Sequence, residues 1–260
     1  KSKTTKPLPD LASEAEIIFL ALPTRALHLV CLEIKNYVSR QTILVALSKG
    51  VGENGDFSFE IIEDILPNQG LVVIGGPMLA EEILAGKYAS ALIASRNIEA
   101  RSAVKFLFAD TKLMVKDSAD PYGVAIAGVF KNIYALGLAV GENLGLGDNA
   151  RGTLAAASLS EMAELVVLFG GQTETAYTLA GLGDLLATAG SSYSRNRAVG
   201  EELVKNGKCF LESEGSLALP LLWPRLENKL AGLPFLAAIG DVVINNKNAK
   251  NVFADIFLSL

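Results

Sequence analysis

Between Glu16 and Val115, short apolar runs alternate with amphipathic stretches. The order EIIFLALPT, RALHLVCLEIKNYV, TILVALSKG, FSFEIIEDILP, LVVIGGP reads as β-α-β-α-β. Continuous apolar runs of this length suit buried parallel strands joined by right-handed helical crossovers, which places this half in the open α/β class. LAEEILAGK, ASALIAS, IEARSAVKFLFAD and TKLMVK continue the alternation, and the final strands are free to run antiparallel. After Pro121 the period changes. GVAIAGVFKNIYALGLAVGENLG and NARGTLAAASLSEMAELVVLFG are long, rich in alanine and helical in spacing, with no strand-like run. GDLLATA, SRNRAVGEELVKN, PLLWPRLENKLAG, FLAAIGDVVIN and AKNVFADIFL predict shorter helices punctuated by Gly and Pro. Pro220 and Pro224 are expected to shorten or kink theirs. The fold predicted is α/β followed by all-α, with the boundary near Ala119.

Half of the 260 residues are apolar, enough for one large core or two smaller ones. A net charge of -5, with no basic arm beyond Lys1, Lys3 and Lys6, argues against nucleic acid as a partner. Two distant cysteines make no disulfide framework and point to a reduced, cytoplasmic setting. One histidine and no C-x-x-C spacing leave too few ligands for zinc, so no metal is expected. Charges, Gly or Pro break every apolar run before the roughly 18 residues that span a bilayer, and the opening KSKTTKPLPD lacks a leader-type apolar region; no membrane partner is expected.

In an open parallel sheet the ligand crevice lies beyond the carboxyl ends of the strands, which directs attention to LPT, SKG and GGPM. Lys49, directly after a strand, can present a cation to a phosphate or a developing oxyanion, or is a solvated loop lysine. Lys131 stands inside an almost wholly apolar helix beside Asn132. Burial would lower its pKa and make it a usable acid or base; its bland alternative is a lysine snorkelling from a helix edge. Asp184, after two glycines, is a partner for it or simply a cap. Ser194, Arg195 and Asn196 open another helix, where backbone N–H groups and a guanidinium suit a phosphate. His28, on an amphipathic helix, is set aside. The glycines of GLGDL follow helical sequence and are read as an interhelical turn, not a phosphate loop.

GVFKN, GENLGLGDNARGTLAAASLSEM and GLGDLLATAGSSYSRNRAVG stand in the order and spacing of NAD(P)-dependent glycerol-3-phosphate dehydrogenase, and the chain resembles that family. The likeness reaches back through ALPT, ALSKG and GGPMLAEE and fades after about Gly215. It implies a Rossmann-like dinucleotide-binding part over 1–119 and a helical substrate-binding domain over 120–260. The implied reaction interconverts sn-glycerol 3-phosphate and dihydroxyacetone phosphate with NAD or NADP, in the supply of glycerophospholipid precursors. By the same resemblance Lys131 is the catalytic lysine and Lys49 a second active-site lysine. Asp184 and Thr188 position Lys131 and the substrate, which Asn132 contacts. Ser194, Arg195 and Asn196 bind its phosphate, and Pro23, Lys49, Arg195 and Glu214 face the cofactor. The family also suggests a homodimer.

The sequence departs from the family at several points. It contains no G-x-G-x-x-G before EIIFLALPT, so the first β-α-β unit is not in it. Met78 and Leu79 replace a small hydroxyl residue and an aromatic, and Ala157 and Ser158 replace Arg-Gly. The alternative is an impaired or truncated homologue that serves as a binding or dimerisation module. A relative acting on another small 2-hydroxy compound is a third reading, which the SRN triplet opposes.

Overall fold

The computed structural model describes residues 6–259, and the Leu258 side chain is not discussed; Lys1 and Lys3 fall outside the described residues. A short helix, α1 (Leu8–Glu14), precedes the sheet and was not foreseen from the pattern. Then follow β1 (Ile17–Leu20), α2 (Thr24–Ile34), β2 (Ile43–Ala46), α3 (Ser58–Ile65), β3 (Gly70–Gly75), α4 (Ala80–Leu84), β4 (Ala89–Ala94), α5 (Ile98–Phe106) and β5 (Leu113–Ser118). The five strands lie in sequence order. The first three are parallel; β4 pairs antiparallel to β3, and β5 parallel to β4. Both faces of the central strands are covered. Leu44, Ala46, Leu71 and Val73 join the main core, while Val45, Val72 and Ile74 alternate to the other face against Ala100 and Val104 of α5.

Among the described residues seven α-helices follow, with short 3-10 or π turns between and after them: α6 (Pro121–Asn143), α7 (Gly147–Leu168), α8 (Asp184–Gly190), α9 (Arg195–Asn206), α10 (Glu214–Leu226), α11 (Pro234–Val243) and α12 (Ala249–Asp255). Asp120 starts α6 by accepting from the Gly123 N–H at 2.9 Å, with Pro121 preset for the first turn. Its other oxygen accepts from Gln172 N and Thr175 Oγ1, tying the start of α6 to the segment after α7. The expectation that charges, Gly or Pro break every apolar run short of a bilayer span fails for α6, which is long and apolar enough by composition, at mean hydropathy 1.6, because it tolerates Lys131 and its glycines. Its whole apolar window is nevertheless buried in protein. It lies against β3 so closely that a Cβ on Gly75 would sit 2.6 Å from Val124. One apolar cluster therefore runs from Leu44 and Val73 of the sheet through α6 to Phe235 and Phe253.

Two further expectations need correction. The glycines of GLGDL are not a simple turn: Leu179–Gly183 is a π-helical turn leading directly into α8. Nor does Pro220 cut α10, which continues to Leu226, two residues past Pro224. Both prolines lie on the exposed side, where the carbonyls they leave unpaired can be solvated.

Candidate active site

Lys131 lies midway along α6 and is 4% exposed. Its Nζ donates to Thr188 Oγ1 at 2.6 Å and stands 3.1 Å from Asp184 Oδ1. Lys49, in the turn after β2, places its Nζ 2.6 Å from Asp184 Oδ2 and also donates to the Gly76 carbonyl at 2.9 Å. One buried carboxylate thus bridges two ammonium groups, one from the sheet and one from the helical half. Thr188, one turn after Asp184 on α8, donates to Asp184 Oδ1 at 3.3 Å. Asp184 is the first residue of α8, yet it makes no cap; its side chain is committed to the lysines. The Lys49 stem passes beside Gly128 of α6, where a Cβ would fall 3.6 Å from it, an ordinary contact.

Burial pushes the pKa of Lys131 down, Asp184 pulls it back up, and the positive charge of Lys49 adds to the lowering; the net direction is down. A lysine in this state gives up its proton more readily than a surface lysine, as acid–base catalysis requires.

The neighbouring residue opens a second cluster. Asn132 Nδ2 donates to Glu214 Oε2 at 2.6 Å, and Asn196 Nδ2 donates to Asn132 Oδ1 at 3.4 Å. Ser194 precedes α9, and its buried Oγ has no hydrogen-bond partner. Arg195, the first residue of α9, is exposed and its guanidinium makes no hydrogen bond among the described residues. Pro23 is exposed just before α2, and His28 is exposed on it. Hydrogen bonds thus form two separate clusters, Lys49–Asp184–Lys131–Thr188 and Glu214–Asn132–Asn196, set side by side by the consecutive residues Lys131 and Asn132 of α6. Arg195 is linked to them only through its neighbour Asn196. A cavity of about 580 Å³ on α11 and α12 and one of about 130 Å³ beside Pro77, Tyr88 and Ala187 take no wall from Lys131, Asp184 or Arg195.

Sequence reasoning passed over Thr24. Its Oγ1 is buried without a partner at the start of α2, and a Cβ on Gly50 would come within 3.2 Å of it. A hydroxyl residue opening a helix directly after a strand was the available signal.

Parallel strands whose carboxyl-end turns meet a lysine–carboxylate cluster carried by packed helices are the two-part plan of a dinucleotide-binding dehydrogenase. Comparison with known proteins narrows the class. The family description "NAD-dependent glycerol-3-phosphate dehydrogenase C-terminus" matches residues 120–254, and its N-terminus counterpart matches residues 3–101. Glycerol-3-phosphate dehydrogenase (NAD(P)+) 2 of Sphingopyxis alaskensis is 31% identical over 98% of this chain and 79% of its own length. A Clostridium botulinum glycerol-3-phosphate dehydrogenase (NAD(P)+) is 29% identical over 96% of this chain and 78% of its own. The crystal structure of the Coxiella burnetii glycerol-3-phosphate dehydrogenase superposes with a TM-score of 0.88 at 26% identity, over 96% of this chain and 79% of that one. The chain belongs to the NAD-dependent glycerol-3-phosphate dehydrogenase family.

The polar groups at the carboxyl ends of the strands fit a ligand-facing sheet edge of the kind that receives a dinucleotide. The turns after β1, β2 and β3 bring the unpaired Thr24 hydroxyl, the Lys49 ammonium and the Gly76 backbone to one end of the sheet. Gly76 has φ 143°, and a Cβ there would meet the Ser90 carbonyl at 2.7 Å, so only glycine lets the turn lie this close.

Proposed function

We propose that the chain interconverts sn-glycerol 3-phosphate and dihydroxyacetone phosphate, with Lys131 as the acid–base group at the C2 oxygen. Bound NAD or NADP supplies or accepts the hydride. The observation that carries this reading is the buried Lys131–Asp184–Lys49 arrangement, with Thr188 against the reacting ammonium. In ketone reduction Lys131 gives its proton to the oxygen as negative charge develops there, and Lys49 stabilises that charge from the sheet side. Asp184 keeps both ammonium groups aimed, and Thr188 fixes the rotamer of Lys131. Asn132 meets the substrate beside the reacting carbon. At the start of α9, Ser194, Arg195 and Asn196 grip the phosphate through the free hydroxyl, the guanidinium and the helix N-terminus. Pro23, Lys49, Arg195 and Glu214 face the cofactor. Residues 1–119 act as the dinucleotide-binding part and 120–260 as the substrate-binding part. The same reading puts the reaction in the cytoplasm, in a homodimer, where it supplies glycerophospholipid precursors.

Lys131→Ala tests the assignment. Its rate of dihydroxyacetone phosphate reduction should fall by about 10³-fold with the circular dichroism spectrum retained; an unaffected rate overturns the role. Tight glycerol 3-phosphate binding without turnover by the wild-type chain points instead to a binding module.

A further inference from the structure

Four groups around Asn132 form a closed hydrogen-bonded circuit. Asn132 Nδ2 donates to Glu214 Oε2 at 2.6 Å, Asn196 Nδ2 donates to Asn132 Oδ1 at 3.4 Å, and the Gly215 N–H donates to Asn196 Oδ1 at 3.4 Å. Glu214 and Gly215 are consecutive at the start of α10, so the circuit closes through the backbone. Its direction is not arbitrary. An ionised carboxylate only accepts, which forces the amide nitrogen of Asn132 toward Glu214. A backbone N–H only donates, which forces the amide oxygen of Asn196 toward Gly215. The two ends agree: the remaining Asn196–Asn132 link must run from nitrogen to oxygen, as it does.

We propose that Glu214 is a positioning residue that sets the hydrogen-bond polarity of the substrate site. The assignment rests on the functional reading above, in which Asn132 and Asn196 touch the substrate. With its nitrogen held by Glu214 and by the Gly128 carbonyl at 3.4 Å, Asn132 keeps one unused lone pair on Oδ1. It therefore offers an acceptor, and the group it recognises is a hydroxyl of the polyol. Asn196, with its oxygen on Gly215, keeps one unused N–H, a donor suited to a phosphate oxygen. The 2.6 Å bond to a charged acceptor is the strong member of the circuit, and the two 3.4 Å links are weak. Glu214 therefore fixes Asn132 firmly, while Asn196 keeps its orientation through two long links only. Glycine at 215 makes the approach possible: a Cβ there would lie 2.4 Å from the Asn132 carbonyl oxygen.

The test is calorimetric titration of wild type, Glu214→Gln and Glu214→Ala with two ligands, glycerol 3-phosphate and n-propyl phosphate, which lacks both hydroxyls. Wild type should prefer glycerol 3-phosphate. Glu214→Ala should weaken glycerol 3-phosphate about tenfold and leave n-propyl phosphate within about twofold, so that the discrimination collapses. Glu214→Gln, whose amide oxygen still accepts from Asn132, should restore it. An equal loss for both ligands, or Gln as poor as Ala, overturns the assignment. Wild type that binds neither ligand sinks the functional reading itself, whereas discrimination unchanged in Glu214→Ala sinks only the role of Glu214.

Discussion

Asp184 holds two ammonium groups with one carboxylate, and the two lysines are not equivalent. Lys131 is enclosed in α6, while Lys49 comes from a loop with 17% of its side chain exposed. Burial and the charge of Lys49 both lower the pKa of Lys131, and Asp184 raises it. This gives two predictions of opposite sign. On the proposed role of Lys131, reduction requires its protonated form, so the rate should fall as the pH rises through the lowered lysine value, and oxidation, which requires the neutral form, should rise over the same window. Asp184→Asn removes the raising influence and should move that inflection to lower pH. Lys49→Met removes a lowering influence and should move it to higher pH. Profiles of kcat against pH for the two variants check this, and shifts in the same direction contradict the assignment. The apolar frame of GVFKNIYALGLAV made Lys131 conspicuous in the sequence, and GLGDLL marked Asp184. The same residues read alone did not reveal that Lys49 and Lys131 share one carboxylate, because Lys49 and Asp184 are 135 positions apart.

Among the elements, α11 shows what local periodicity cannot convey. Its first turn has no side-chain cap from its own neighbourhood. Glu161 of α7 reaches across instead, accepting from Phe235 N at 2.6 Å, Leu236 N at 2.8 Å and the Tyr134 hydroxyl at 2.9 Å. In SLSEMAELV this glutamate reads as one more polar position on a helix, because its partners lie 74 and 75 residues away. The lengths of α6 and α7 were legible because a helical period persists over 22 or 23 residues; α1 and the π-helical turn were not, since neither is long enough to show one. Glu161→Ala would leave two buried N–H groups and a buried hydroxyl without partners. It should cost about 3 kcal/mol, and roughly 6–12 °C in Tm. Burial pushes the Glu161 carboxyl up despite the donors that pull it down. A raised carboxyl contributes stability that is full below the ordinary value of 4.5 and fades as the pH climbs through the folded one. The Tm gap between wild type and Glu161→Ala should accordingly be wider at acid pH than at neutral pH, and a gap that widens toward neutrality contradicts the account.

At the scale of the whole molecule, the change of period after Pro121 does not separate two cores, because α6 belongs to both halves. Polar ties cross between them, among them Lys49–Asp184 at the lysine–carboxylate cluster, Tyr122 with Glu63 and Arg96 at the start of α6, and Arg225–Glu60 at the far end of α10 from Glu214. Arg225 donates to both oxygens of Glu60 at 2.8 Å and to the Gly55 carbonyl at 2.7 Å, over the rings of Phe57 and Phe169. Burial pushes Glu60 up, but Arg225 and the Phe57 N–H outweigh it and hold the carboxyl below its ordinary value of 4.5. A lowered carboxyl contributes stability above that value and loses it as the pH falls through the folded one. Arg225→Ala should therefore lower stability by about 1–2 kcal/mol at neutral pH, a figure trimmed because the pair is partly exposed, and the deficit should shrink in acid. Because the same helix carries Glu214 at its other end, loosening α10 should reach the active site. Amide exchange should quicken in the Gly55 loop and α3 and at the start of α10, while α6, held by the shared core, keeps its protection. Exchange that quickens uniformly, α6 included, would show that Arg225 serves global stability and does not tie α10 to the sheet.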